Sequence, residues 1–69
     1  MYNKLKQLRL KNNYSQQHMA DLLNMSKVFY YHIESGKRRL SYHNAIRIAQ
    51  IFNLKPDELF YEDDIKNNK

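Results

Sequence analysis

The sequence predicts an all-α domain of five short helices, and three observations carry that expectation. Only one glycine and one proline occur in 69 residues, so little interrupts helical runs. Ser15, Ser26 and Ser41 stand just before apolar-periodic segments, where a hydroxyl can accept from the first free amides of a helix. Period-2 alternation is absent, and the one β-rich string, Val28-Phe29-Tyr30-Tyr31, is too short to make a sheet by itself.

The first helix is expected over roughly residues 3–11, with Leu5 and Leu8 inward at i, i+3 spacing. Asn12-Asn13 ends it, because asparagine tolerates the left-handed conformation at a helix C-terminus. Ser15 then caps a helix over residues 16–23 carrying Met19, Leu22 and Leu23. Ser26 caps a third over residues 27–35, closed by Gly36, where a positive φ is wanted. Ser41 caps a fourth over residues 42–52, with Ala45, Ile48, Ala49 and Phe52 as its apolar stripe. Pro56 suits the first turn of a last, short helix ending near Phe60. Residues 1–61 therefore read as one domain and residues 62–69 as a short, solvated polar tail.

Charge is unevenly placed. Residues 1–56 hold ten cations against Asp21 and Glu34, a net of +8, while residues 57–69 hold two cations against five anions, a net of −3. A basic body with an acidic end suits a polyanionic partner contacted by the body. No cysteine is present, so neither a disulfide framework nor a thiolate zinc site is possible. Residues 1–10 lack the apolar run of a signal peptide, and no stretch approaches the ~20 apolar residues that span a bilayer. A cytoplasmic protein without membrane contact is expected.

Enzymatic chemistry finds no support. His18, His32 and His43 fall on three different helices without metal-ligand spacing. There is no glycine-rich phosphate loop and no serine elbow, and the carboxylates of 57–64 sit on a terminal segment poorly suited to tuned acid–base work. No catalytic residue, metal or cofactor is expected.

The informative stretch is 16–35. Ala20 offers a small side chain where a crossing helix must come close, and Asn24-Met25-Ser26 reverses the chain. At about 100° per residue, Tyr30 and Ile33 share an inward face. Val28, Tyr31, His32 and Ser35 lie opposite, with Lys27 at the entering end and the basic loop Lys37-Arg38-Arg39 beyond. Such a face can enter the major groove of double-stranded DNA. Lys27 is placed either to read a guanine edge or to neutralise a phosphate. Val28 is placed for a thymine methyl, and Tyr31 and His32 for base or phosphate contact. Lys37, Arg38 and Arg39 are placed to clamp phosphates, as is Ser26 at the entering helix end.

Arg9, Ser15-Gln16, Ala20, Leu23, Met25-Ser26, Ile33-Glu34, Gly36-Lys37-Arg38, the run 46–54 and the ending Pro56-Asp57-Glu58-Leu59-Phe60 form a spaced set. In it, the segment Lys4–Phe60 resembles the phage-repressor and Cro class of regulators, the Xre family. The resemblance implies a compact five-helix repressor-like domain whose second and third helices form a helix-turn-helix. It further implies that Arg9 pairs with Glu34, locking the recognition helix to the body, and that Gln16 donates to a DNA phosphate. Three departures stand out. Asn24 replaces a usual glycine, Leu40-Ser41 stands where a proline is common, and Tyr30 replaces a branched aliphatic. At Tyr30 the core must be roomier, or the hydroxyl must reach solvent.

The expected function is a transcriptional regulator, a repressor, bound as a homodimer to a palindromic operator. Leu59, Phe60 and Tyr61, with Ile65 beyond, are the expected dimer surface, the alternative being completion of the monomer core, which is expected for Leu59 at least. Two alternatives stay open: an antitoxin that binds its own promoter and also a protein partner (a toxin, or an antirepressor), and a protein-interaction or RNA-binding module, because a fold alone does not settle function.

Overall fold

The computed structural model describes the backbone of residues 2–67 and the side chains of residues 2–61 and Asp63. Five helices follow one another: α1 (Asn3–Lys11), α2 (Gln16–Leu22), α3 (Lys27–Glu34), α4 (Tyr42–Ile51) and α5 (Pro56–Asn67). The described residues include no strand. α2 packs on α3, α1 packs on both α3 and α5, and α4 packs on α5.

Local chemistry sets most of the boundaries. The hydroxyls of Ser15, Ser26 and Ser41 accept from the amides of His18, Phe29 and Asn44 at 2.9, 3.1 and 3.1 Å. Each satisfies a donor that a helix start leaves without an intrahelical acceptor. At the other ends, Asn13 (φ 59°), Asn24 (φ 56°) and Gly36 (φ 82°) take the left-handed conformation that stops α1, α2 and α3. Asn53 (φ 57°) does the same after α4.

The core gathers Leu5 of α1, Met19 and Ala20 of α2, Tyr30 and Ile33 of α3, Ile48 and Ala49 of α4, and Leu59 of α5. The inward face expected for α3 is therefore the buried one. Tyr30 is fully enclosed, so its hydroxyl does not reach solvent. It meets no hydrogen-bond partner among the described residues.

The last helix differs from its expected length: α5 continues past Phe60 to Asn67. Asp63 in this stretch is buried, and its Oδ2 accepts from the Lys4 amide at 3.1 Å. That bond supplies the start of α1 with an acceptor, since Tyr2 at its N-cap makes no side-chain cap bond. α5 starts with its own device, as Glu58 Oε1 accepts from the Lys55 amide at 2.9 Å. The expected tail thus contributes a turn of helix and a buried carboxylate.

Leu59 takes the place in the core that is its alternative reading, and Phe60 corrects the expectation of a dimer surface. They are 1 % and 6 % exposed, and the Phe60 ring meets Tyr2 edge-on with centroids 5.2 Å apart. Both complete the core of the single chain, and Tyr61 is exposed. Ile65 lies outside the described side chains. Among the described residues, no helix is long and apolar enough to cross a membrane.

Candidate nucleic-acid interface

Two short helices and a tight turn build the site. The turn closes when the amides of Asn24 and Met25 donate to the carbonyls of Asp21 and Ala20, at 3.2 and 3.0 Å. Arg47 of α4 reaches across to donate to the Leu23 carbonyl. The end of α2 is thus held by a side chain 24 positions away in sequence, a link that no local pattern reveals.

α3 is fixed from behind. Arg9 Nε and Nη2 donate to the two carboxylate oxygens of Glu34 at 2.8 and 3.0 Å, and Nη1 donates to the Tyr14 carbonyl at 2.9 Å. Both partners are buried, and the fork geometry matches guanidinium to carboxylate on two parallel bonds. The Glu34 hydrogen bond holds the guanidinium above its usual range, against the opposing effect of burial. The Tyr2 amide donates to the Glu34 carbonyl at 3.0 Å. The chain's beginning is thereby tied to the end of α3.

The outward side of α3 carries the expected readers. Lys27 and Val28 are exposed, Val28 to 64 %, which leaves its methyl groups without an apolar neighbour to cover them. Tyr31 is exposed and His32 half-buried, with ring centroids 5.8 Å apart. All four stand on one short helix. Ser26 is exposed at its start, and its hydroxyl retains a proton to donate while its oxygen caps the helix. Gln16 begins α2 and is half-buried.

The basic loop does not simply drift from the helix end. The Arg38 amide donates to the His32 carbonyl at 3.1 Å. The Arg38 guanidinium carbon lies 4.5 Å from the centroid of the Phe29 ring, and Lys37 Nζ lies 5.6 Å from that of Tyr31. Lys37, Arg38 and Arg39 are all exposed. Two of the three loop cations therefore rest on aromatic rings of α3. The aromatic supports went unread in the sequence because nine positions and a left-handed glycine separate Phe29 from Arg38.

Between the segment leading into α4 and the start of α5 runs a groove of about 330 Å³ whose lining includes Tyr2, Arg39, Tyr42, Asp57, Phe60 and Tyr61. Tyr42 and Tyr61 are exposed to 74 % and 61 %.

The sequence has counterparts among known proteins. Residues 5–59 match the helix-turn-helix family. The chain is similar to the HTH-type transcriptional regulator AnsR of Bacillus subtilis (strain 168), 42 % identical over 57 residues, which cover 83 % of this chain and 49 % of that protein. It therefore spans about half the length of that relative. It is also similar to the uncharacterized HTH-type transcriptional regulator MJ0272 of Methanocaldococcus jannaschii, 40 % identical over 65 residues, covering 93 % of this chain and 98 % of that one. No solved structure matches the chain at significance. With α2, the turn and α3 in agreement with the match over residues 5–59, the chain belongs to the helix-turn-helix family of DNA-binding transcriptional regulators.

Proposed function

We propose that the chain reads a specific sequence of double-stranded DNA with α3 in the major groove, and represses transcription from that site as a homodimer. One observation supports this above others: Lys27, Val28, Tyr31 and His32 share the outward side of α3, with Lys37–Arg39 exposed at its end. Val28 touches a thymine methyl. Tyr31 and His32 reach base edges, and Lys27 reaches a guanine edge or the neighbouring phosphate. Gln16, Ser26, Lys37, Arg38 and Arg39 hold phosphates and set the register of the helix in the groove. The Arg9–Glu34 pair keeps α3 at a fixed angle to the body.

A twofold arrangement doubles the contacts of a small reader and sets half-sites one helical turn apart, about 34 Å. Of the expected dimer residues with described side chains, Tyr61 is the exposed one. Tyr42 stands exposed with it at the groove beside α5. Arg39 and Asp57 line the same groove, so a patch bearing both signs can meet its own twofold image. Sedimentation at tens of micromolar, with operator absent and present, checks the pairing. Monomers in both conditions would remove it.

The direct test is selection from random duplex DNA with the wild type, Val28→Ala and Arg38→Ala. A palindrome should emerge. Val28→Ala should relax one position in each half-site, while Arg38→Ala should weaken all sequences alike. If no motif emerges, the exposed face of α3 serves a protein partner, and the operator reading is wrong.

A further inference from the structure

Among the loop cations, Arg38 is set apart by how much already holds it before any nucleic acid arrives. Its amide is bound to the His32 carbonyl at 3.1 Å. Its guanidinium carbon is 4.5 Å from the Phe29 ring centroid, well inside the ~6 Å over which a cation is drawn to an aromatic face. A free arginine has several rotatable bonds to order when it grips a phosphate, and ordering them opposes binding. Here the backbone and the far end of the side chain are both held, one by α3's main chain and the other by α3's ring.

Phe29 itself is half-buried and packs against the core. Its ring is therefore anchored on the helix that enters the groove, and it offers a platform to the loop that follows Gly36. A guanidinium stacked on a ring keeps its in-plane N–H groups available, because stacking uses the face of the group and hydrogen bonding uses its edge. The arrangement leaves Arg38 able to donate to a phosphate while it stays on Phe29.

We propose that Phe29 is a positioning residue for DNA binding: without touching the nucleic acid, it holds Arg38 in the conformation that clamps a phosphate at the end of the recognition helix. The proposal rests on the reading of the outward side of α3 as the DNA face, and it adds a residue of that helix which does not belong to the reading face.

The experiment is a double-mutant cycle on duplex binding with Phe29→Leu, Phe29→Tyr, Arg38→Ala and Phe29→Leu/Arg38→Ala. A folding control by thermal melting accompanies each variant. Phe29→Leu should weaken binding roughly two- to five-fold, the range of an exposed cation–ring contact. Its slope of log affinity against log salt should stay unchanged, since the phosphate contact survives once formed. Phe29→Tyr keeps the ring and should restore binding. In the Arg38→Ala background, Phe29→Leu should change nothing further. The free protein gives an independent readout by NMR. Ring current should move the Arg38 δ-protons upfield in the wild type and in Phe29→Tyr, and not in Phe29→Leu.

An additive Phe29→Leu effect in the Arg38→Ala background would overturn the proposal, because the ring would then act directly or through the fold. Absence of the upfield shift in the free wild type would overturn it as well. If the wild type itself bound no duplex, the DNA reading would fail while the ring shift could still be present; if it bound and Arg38→Ala changed nothing, the clamp and this proposal would fail while the DNA reading stood. The two failures are thus separable.

Discussion

At the scale of the residue, the feature with the clearest physical consequence is Tyr30. Its ring fills the space behind α3, and its hydroxyl is enclosed without a hydrogen-bond partner among the described residues. Burial, and after it the Glu34 carboxylate, raise the phenol far above its ordinary value. Unfolding returns the group to water, where it loses its proton near about pH 10. Above that pH the unfolded chain releases a proton that the folded chain retains, so stability falls as pH rises. Below it both states are protonated, and the group adds no pH dependence. Tyr30→Phe deletes a partnerless buried hydroxyl and should leave stability at pH 7 equal to the wild type or up to ~1 kcal/mol higher. Above about pH 10 the wild type should lose stability more steeply than Tyr30→Phe, by up to ~1.4 kcal/mol per pH unit. Urea titrations of both proteins at pH 7, 10 and 11 measure this. Parallel curves would show that the hydroxyl finds a partner or an outlet to water.

At the scale of the element, the turn between α2 and α3 is where sequence and geometry meet most directly. Asn24 sits at φ 56°, a conformation that costs most residues with a Cβ roughly 1–2 kcal/mol and that asparagine and glycine visit readily. Asn24→Gly should therefore hold stability within a few tenths of a kcal/mol, whereas Asn24→Ala should cost about 1 kcal/mol. Denaturant midpoints decide between them, and equal losses for both would mean that the asparagine side chain, not its backbone, carries the turn. The same kind of local chemistry explains why α1 to α4 could be anticipated. A serine before an apolar run and an asparagine or glycine after it act within four residues, and Ser15, Ser26, Ser41, Asn13, Asn24 and Gly36 all do so. The exposed side of α3 was legible for the same reason, being a matter of helical periodicity.

What escaped notice acts over distance. Asp63 of α5 meets the Lys4 amide at the start of α1, 59 positions away, and nothing near Asp63 in sequence signals that a carboxylate there will be buried. Phe60 resembles an exposed anchor until Tyr2 is brought against it. Lys4 Nζ donating to the Glu58 carbonyl at 2.6 Å and Arg47 donating to the Leu23 carbonyl are of the same class. In each, a long cation reaches a carbonyl on a different element, Arg47 at the C-terminal end of α2 and Lys4 in the first turn of α5. Pairing of Arg9 with Glu34 across 25 positions is equally non-local. It was anticipated only because the resemblance to a known family implied it.

At the scale of the whole molecule, the question is how many copies sit on one operator. The chain measures 31 × 23 × 20 Å between Cα extremes, so two copies fit along a duplex with half-sites about 34 Å apart. Salt dependence can count them. Each phosphate neutralised by a protein cation displaces counterions and contributes about −0.9 to the slope of log affinity against log salt on B-form DNA. Arg38 is placed to contact one phosphate per copy, and it is exposed on the loop that follows α3. If a homodimer holds the palindrome, Arg38→Ala removes two contacts at once, and the slope should become shallower by about 1.8. On a duplex carrying a single half-site, the change should be about 0.9. Fluorescence anisotropy on the two duplexes between roughly 50 and 200 mM salt reads both values. A change near 0.9 on both would mean that one module engages at a time and that twofold operator binding is wrong. Unchanged slopes on both would mean that Arg38 does not hold a phosphate, and the clamp would have to be sought at Lys37 and Arg39.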